Sequence, residues 1–241
     1  MGNLRILSKS STPFADRQEA GRKLALELKS LAGRGPVVLG IPRGGVIVAA
    51  ELAARLGGEL DVVLSRKLRT PGYPELAMGA VAEGGQVFLN QDVIQSLRVD
   101  EEALEREKAV QLQEIARRSS VMRRVAEKIP LQGRTVIITD DGVATGATAL
   151  VSLREARREQ AKKIIIAFPV GPRDTMERLA QGADEVVCLQ APPFFRSVGQ
   201  FYANFDEVGE DEVIRILKQA REDRVPATTG HPDGRDFEKK K

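Results

Sequence analysis

The stretch VIITDDGVATGAT, residues 136–148, places two carboxylates between a buried-strand run and a small, hydroxyl-bearing loop. Val136, Ile137 and Ile138 form a β-branched run of the kind found in a parallel strand covered on both faces, and the following ALVSLREARRE has helical patterning. A loop at the carboxyl end of such a strand, entering a helix, presents free backbone N–H groups and the positive end of a helix dipole. Asp140 and Asp141 can accept from vicinal hydroxyls or hold a hydrated cation. Gly142, Ala144, Gly146 and Ala147 let the backbone approach a phosphate closely, and Thr145 and Thr148 add hydroxyl donors. The pattern suits a sugar phosphate.

Other readings explain less. A solvated acidic turn and helix cap does not account for small residues as far as Thr148. A nucleoside-triphosphate P-loop requires Lys before its final Ser or Thr, where this chain has Ala147. A dinucleotide fingerprint spaces its glycines differently and has no acid pair ahead of them. The segment instead resembles the 5-phosphoribosyl-1-pyrophosphate (PRPP) motif of the type I phosphoribosyltransferases. That resemblance implies an α/β fold with a mostly parallel central sheet flanked by helices, a β-ribbon flexible loop and a small hood. It assigns Asp140 and Asp141 to the ribose hydroxyls. Gly142, Val143, Ala144, Thr145, Gly146, Ala147 and Thr148 then form the ribose and 5-phosphate loop. It also implies Mg²⁺, which Asp140 and Asp141 would meet through water or PRPP.

Working outward, Val37 to Leu39 reads as the first core strand, followed by the turn Gly40-Ile41-Pro42-Arg43-Gly44-Gly45 and a helix through VIVAAELAARL. Pro-Arg-Gly-Gly alone is compatible with a tight turn. Between a strand and a helix, Arg43, Gly44 and Gly45 match the family's pyrophosphate loop. Arg66 and Lys67, after a strand at Leu60 to Leu64, resemble its basic pair, and Lys67 joins Asp140 and Asp141 as a candidate catalytic group. The alternative for Arg66 and Lys67 is a positive strand end in solvent. Leu68 to Leu76, rich in loop formers, resembles the mobile loop that excludes water, and Met78 to Ala82 with Gln86 to Leu89 reads as a ribbon.

The remainder alternates helix and strand, as in a parallel α/β sheet. Residues 17–31 and 210–220 read as helices, 100–128 as a long charged helical stretch, and Lys163 to Phe168 and Glu185 to Leu189 as strands. Arg117, Arg118, Arg123 and Arg124 are read as a solvated helix face, with contact to an anion or RNA as the lesser alternative. One domain over 1–220 is expected, its hood built from the amino-terminal segment and 191–207, with a disordered tail at 221–241. That tail contains His231, the only histidine, which argues against a histidine-based metal site or triad. Cys188, the only cysteine, excludes a disulfide framework within the chain and reads as a core residue. No stretch reaches the roughly twenty apolar residues of a membrane span. The expectation is a cytoplasmic protein with no membrane partner. A net charge of +3 with interleaved signs suits an anionic small molecule and disfavours nucleic acid.

The acceptor is left open. In relatives acting on 6-oxopurines an Asp precedes the Thr-Gly-x-Thr ending, and this chain has Ala144 there, which disfavours hypoxanthine or guanine. Phe194, Phe195, Phe201 and Tyr202 are candidates to stack on a planar base, or else a satellite core. Phe14-Ala15-Asp16-Arg17-Gln18-Glu19-Ala20-Gly21 matches the FxDRxEAG pattern of a bacterial and archaeal group of phosphoribosyltransferases with unassigned acceptor. Phe201 stands where that group often carries Trp. The partners implied are PRPP and a small nitrogenous acceptor, and a homodimer is compatible with the sequence. The expected function is Mg²⁺-dependent transfer of phosphoribose from PRPP with release of pyrophosphate. A PRPP-sensing regulatory or nucleic-acid-binding protein on the same fold is the alternative.

Overall fold

The structure, a computed structural model, describes residues 2–223, the side chains of Pro74 and Glu75 excepted. The expected tail from residue 224 onward, with His231, lies outside the described residues. A six-stranded sheet runs in the order β1 (Asn3–Ser8), β9 (Glu185–Gln190), β8 (Lys163–Val170), β7 (Thr135–Thr139), β2 (Val37–Gly40) and β3 (Glu59–Val62), every pairing parallel. Its central strands are continuous apolar runs because helices cover both faces. Register alternation divides them between two cores. Val38, Ile137, Ile165 and Val187 pack with Leu24, Val48 and Leu52 of α1 (Arg17–Glu27) and α2 (Gly45–Leu56). Val136, Ile138, Ile164 and Ile166 pack with Leu153 of α5 (Ala147–Arg158) and Met176 of α6 (Arg173–Leu179). Each such fully buried side chain contributes about 1.5–3 kcal/mol.

This order creates the site. β2 and β7 are neighbours, with Gly40 opposite Thr139. From β2 the chain crosses by α2 to β3 on one side, and from β7 by α5 to β8 on the other. The two connections diverge on opposite faces and leave a crevice beyond the carboxyl ends of β2 and β7, where ligands of open α/β sheets bind.

A second, antiparallel sheet contains β4 (Ser65–Thr70), β5 (Tyr73–Ala82) and β6 (Val87–Leu89). Residues 68–76, read as loop formers, are mostly a hairpin turning at Pro71 and Gly72, with Leu68 opposite Gly79, which extends the ribbon expected at Met78 to Ala82 and Gln86 to Leu89. A correction concerns the amino terminus. Residues 3–8 are an edge strand of the main sheet instead of part of a hood, while Phe14 bridges Tyr202. The long helix α4 is Glu101–Met122, preceded by the short α3 (Gln91–Ser96), and α7 spans Glu210–Glu222. Among the described residues no helix is long and apolar enough to cross a membrane.

Candidate active site

Two loops meet in the crevice. The Ile41 N–H donates to the Thr139 carbonyl at 2.9 Å, which ties the loop after β2 to the end of β7. The Pro42–Arg43 peptide is cis. A Cβ on Gly45 would lie 2.7 Å from both the Cα and Oδ1 of Asp140, and one on Gly44 would collide with Asp141 Oδ2. Any side chain at these positions would force the two expected ligand loops apart, because they touch there. Gly44 and Gly45 begin α2 and Gly146 begins α5, neither with a side-chain cap, so the first-turn N–H groups of both helices have no side-chain acceptor.

The loop 140–148 is braced from outside. The Val143 N–H donates to the Val170 carbonyl at 3.0 Å. From α6, the Thr175 hydroxyl donates to the Ala144 carbonyl and Arg178 to the Thr145 carbonyl, each at 2.7 Å. Gly146 adopts a φ of 74°, a conformation that turns the loop into α5 without the penalty a Cβ would bring. Thr145 is exposed and Thr148 half-buried. A cavity of about 550 Å³ opens beside Ala144, Thr145 and Ala147 and reaches Phe88 and Asn90. A cavity of about 700 Å³ lies between α2 and α7, lined by none of the loop residues.

The carboxylates sit in an unusual balance. Burial pushes Asp140 well above the usual carboxylate range, the charge of Asp141 adds to this, and Lys67 opposes it. Burial also raises Asp141, against the stabilising contact of Arg17. Arg17 Nε donates to Asp141 Oδ2 at 2.8 Å, and the Tyr202 hydroxyl donates to the Asp141 carbonyl at 2.5 Å. Burial raises the Tyr202 phenol, with the Asp141 charge adding to it, so it remains a donor. Among the described residues no group of three or more His, Cys, Asp or Glu could hold a metal ion. The chain therefore offers two adjacent carboxylates and no cage, a donor set that fits an oxygen-preferring ion keeping most of its own waters.

The expected basic pair diverges. Lys67 lies within electrostatic reach of Asp140. Arg66 turns to α4, its Nε donating to Gln111 Oε1 at 2.5 Å, and lines a narrow gap with Pro42 and Arg118. Burial lowers the Arg66 pKa, with the Arg118 charge acting in the same direction. Arg43 reaches Glu207 Oε1 at 2.6 Å.

The aromatic candidates also separate. Phe201 is 1% exposed and belongs to the core, Tyr202 is 6% exposed, and Phe195 stacks on Phe201 with centroids 5.3 Å apart. Phe194 is 82% exposed. Phe201 thus presents no free ring face to a ligand, and the Tyr202 hydroxyl is already engaged with Asp141. Sequence reasoning missed Arg17 as a member of this site and placed Arg118 on a solvated face. Arg17 is marked only by the Phe14 to Gly21 pattern, which does not say what it touches, since its partners lie 124 and 189 residues away.

The sequence profile of the family described as "Phosphoribosyl transferase domain" matches residues 15–206. Two Mycobacterium tuberculosis proteins, from strains CDC 1551 / Oshkosh and ATCC 25618 / H37Rv, carry the provisional name of phosphoribosyl transferase and are 48% identical to the chain over 214 residues. The match covers 89% of this chain and 48% of each relative, so the chain spans about half the length of the curated relatives it matches. The crystal structure of TT1426 from Thermus thermophilus is 45% identical with a TM-score of 0.73, covering 86% of this chain and 99% of that one.

Proposed function

The chain belongs to the phosphoribosyl transferase family, with the mostly parallel α/β fold of its type I members, and from that membership we propose that it transfers 5-phosphoribose from PRPP to a nitrogenous acceptor. The observation that carries this reading is the contact of the Gly44-Gly45 turn with Asp140 and Asp141 at the carboxyl ends of neighbouring strands. A ligand with a sugar between a phosphate and a diphosphate matches that order of donors.

The reaction breaks the bond between the anomeric carbon and the diphosphate oxygen while an acceptor nitrogen forms a bond on the opposite face, with inversion. Asp140 and Asp141 accept from the ribose hydroxyls and fix the ring. The N–H groups entering α5, with Thr145 and Thr148, hold the 5-phosphate. The turn at Arg43, Gly44 and Gly45, together with Lys67, faces the leaving diphosphate, where positive charge lowers the barrier. Asp140 and Asp141 would hold Mg²⁺ through its waters, and the ion would supply charge neutralisation at the diphosphate. Proton removal from the acceptor is assigned to no residue, because Ala144 has no carboxylate to perform it.

Calorimetric titration with PRPP and Mg²⁺, followed by a pyrophosphate-release screen across bases and base-like acids, tests the proposal. Binding that is lost in Asp140→Asn and Asp141→Asn supports it, while folded wild-type protein that binds no PRPP refutes it. Binding without release for any acceptor favours a PRPP sensor on the same fold.

A further inference from the structure

The amino-terminal segment from Phe14 to Gly21 is built to hold one side chain, that of Arg17. The Phe14 N–H donates to the Phe201 carbonyl at 2.8 Å, and the Ala203 N–H donates back to the Phe14 carbonyl at 2.7 Å, which pairs this segment with 201–204. Asp16 caps α1 by accepting from the Glu19 N–H at 2.7 Å, and Glu19 accepts from the Ala15 N–H at 2.5 Å. Gly21 lets α1 close on α2, since a Cβ there would lie 2.7 Å from the Glu51 Cβ and 3.0 Å from the Val48 carbonyl oxygen. Arg17, the first residue of α1, is thereby fixed from both sides and is only 8% exposed.

Its guanidinium has three neighbours. Nε donates to Asp141 Oδ2 at 2.8 Å, Nη1 donates to the Asp206 carbonyl at 2.9 Å, and Cζ lies over the Phe205 ring, 3.9 Å from its centroid. Phe205 in turn stacks on Tyr202, whose hydroxyl holds the Asp141 carbonyl. Gly44 lies against the same pair, for a Cβ there would come 2.8 Å from Arg17 Nε as well as striking Asp141. One planar cation thus stands where the diphosphate turn, the ribose acids and the 202–206 segment converge.

We infer that Arg17 is a positioning residue for the sugar donor, holding Asp141 in the orientation that receives a ribose hydroxyl and tying that acid to the 202–206 segment. The inference rests on the PRPP reading of the site. A guanidinium suits the place because its edges bond in two directions while its face stacks, whereas a lysine ammonium is a single point charge. Asp141 Oδ2 accepts from Arg17, which fixes the plane of the carboxylate that would meet the sugar. Without Arg17, a carboxylate in this buried position keeps neither its orientation nor its charge compensation.

The test compares PRPP·Mg²⁺ affinity by calorimetry in wild type, Arg17→Ala, Arg17→Lys and Phe14→Leu. Phe14→Leu loosens the same packing without touching Asp141. Loss of a charge-assisted hydrogen bond predicts affinity about 10- to 100-fold weaker in Arg17→Ala, a smaller loss in Arg17→Lys, and recovery of Arg17→Ala by added guanidinium ion. If Arg17→Ala does not fold, Arg17→Lys carries the comparison against Phe14→Leu. Equal affinity in folded variant and wild type overturns the inference, as does a loss matched by Phe14→Leu with no response to guanidinium. A folded wild type that binds no PRPP instead overturns the reading on which the inference rests.

Discussion

Gly45→Ala places one methyl where the turn after β2 meets Asp140, the contact on which the PRPP reading rests. The added Cβ would lie 2.7 Å from the Cα and Oδ1 of Asp140 and 3.0 Å from the Thr139 carbonyl oxygen, whereas ordinary contact begins at 3.4 Å. The neighbours must therefore withdraw by up to about 0.7 Å, and two of those atoms are backbone that cannot swing aside. Overpacking of this kind costs about 1–3 kcal/mol, offset by up to about 1 kcal/mol from alanine's better helix propensity. For a chain of this size the melting temperature falls by no more than about 12 °C, so the variant remains folded at 25 °C. Function suffers more, because a displacement near 1 Å costs about 100-fold in a reaction that depends on alignment. The expected outcome is a 10- to 100-fold lower rate of PRPP-dependent pyrophosphate release, read beside melting curves and with Gly209→Ala as control, since a Cβ there meets nothing within 4 Å. A folded Gly45→Ala protein that releases pyrophosphate within about twofold of wild type would refute the claim that these loops form one site.

Three further outcomes follow from the structure. Asp61, 1% exposed, accepts from the Val62 N–H at 2.7 Å, from Arg123 Nη1 at 2.5 Å and from the Ile129 N–H at 2.8 Å. Arg123 Nε has no partner already, so Asp61→Ala leaves this nearly buried cation with only the Val62 carbonyl at 3.3 Å and the more distant Glu83 carboxylate at 3.7 Å. It should cost about 3–5 kcal/mol and lower the melting temperature by about 6–20 °C; a change below 3 °C would count against the pair. Hydrogen bonds from Arg117 and Arg118 pull Glu114 down to about 2 from its ordinary 4.5. A depressed carboxylate adds stability that is present above the ordinary value and is lost as pH falls towards 2. Melting temperature should thus fall less steeply in that window in Glu114→Gln than in wild type, and parallel slopes would refute the assignment. Cys188 is buried and its thiol is pushed up to about 12, so Ellman's reagent at pH 8 should find no thiol in native protein and one after denaturation.

The parts legible in the sequence are those whose signal is local. Val136 to Ile138 announce a buried parallel strand by β-branching, and the acids and small residues after them announce a loop that must admit a ligand. Glycine at 44 and 45 is readable as a turn, yet its cause is contact with Asp140 and Asp141, nearly a hundred positions further on. Of the hairpin at 65–82, only Met78 to Ala82 reads as strand, because Arg66, Lys67, Arg69 and Pro71 have the composition of a loop. Its strand character comes from register, with Leu68 buried opposite Gly79. Asn3–Ser8 escaped for a similar reason, since an edge strand of mixed polarity is defined by its neighbour β9. Arg17 is marked only as one residue of the Phe14 to Gly21 pattern, and nothing local says that it reaches Asp141.

The cations around the acids divide by what already holds them. Arg43 is paired with Glu207, whose side chain is 80% exposed, and Arg66 with Gln111 and, at 4.0 Å, Glu114. Lys67 makes no ion pair among the described residues, while Arg17 is buried against Asp141. An exposed pair such as Arg43 with Glu207 is worth about 0.2–1 kcal/mol, so an anionic ligand would displace Glu207 at little cost. Breaking Arg17 from Asp141 would leave an uncompensated buried charge, at about 3–5 kcal/mol. Under the PRPP reading, Arg43 and Lys67 are therefore the cations free to follow the ligand, and Arg17 is the one that must stay. That division explains why the chain can keep two raised carboxylates side by side. Arg17 compensates Asp141 permanently, and the charge of Asp140 is left to Lys67 and to whatever cation arrives with the diphosphate.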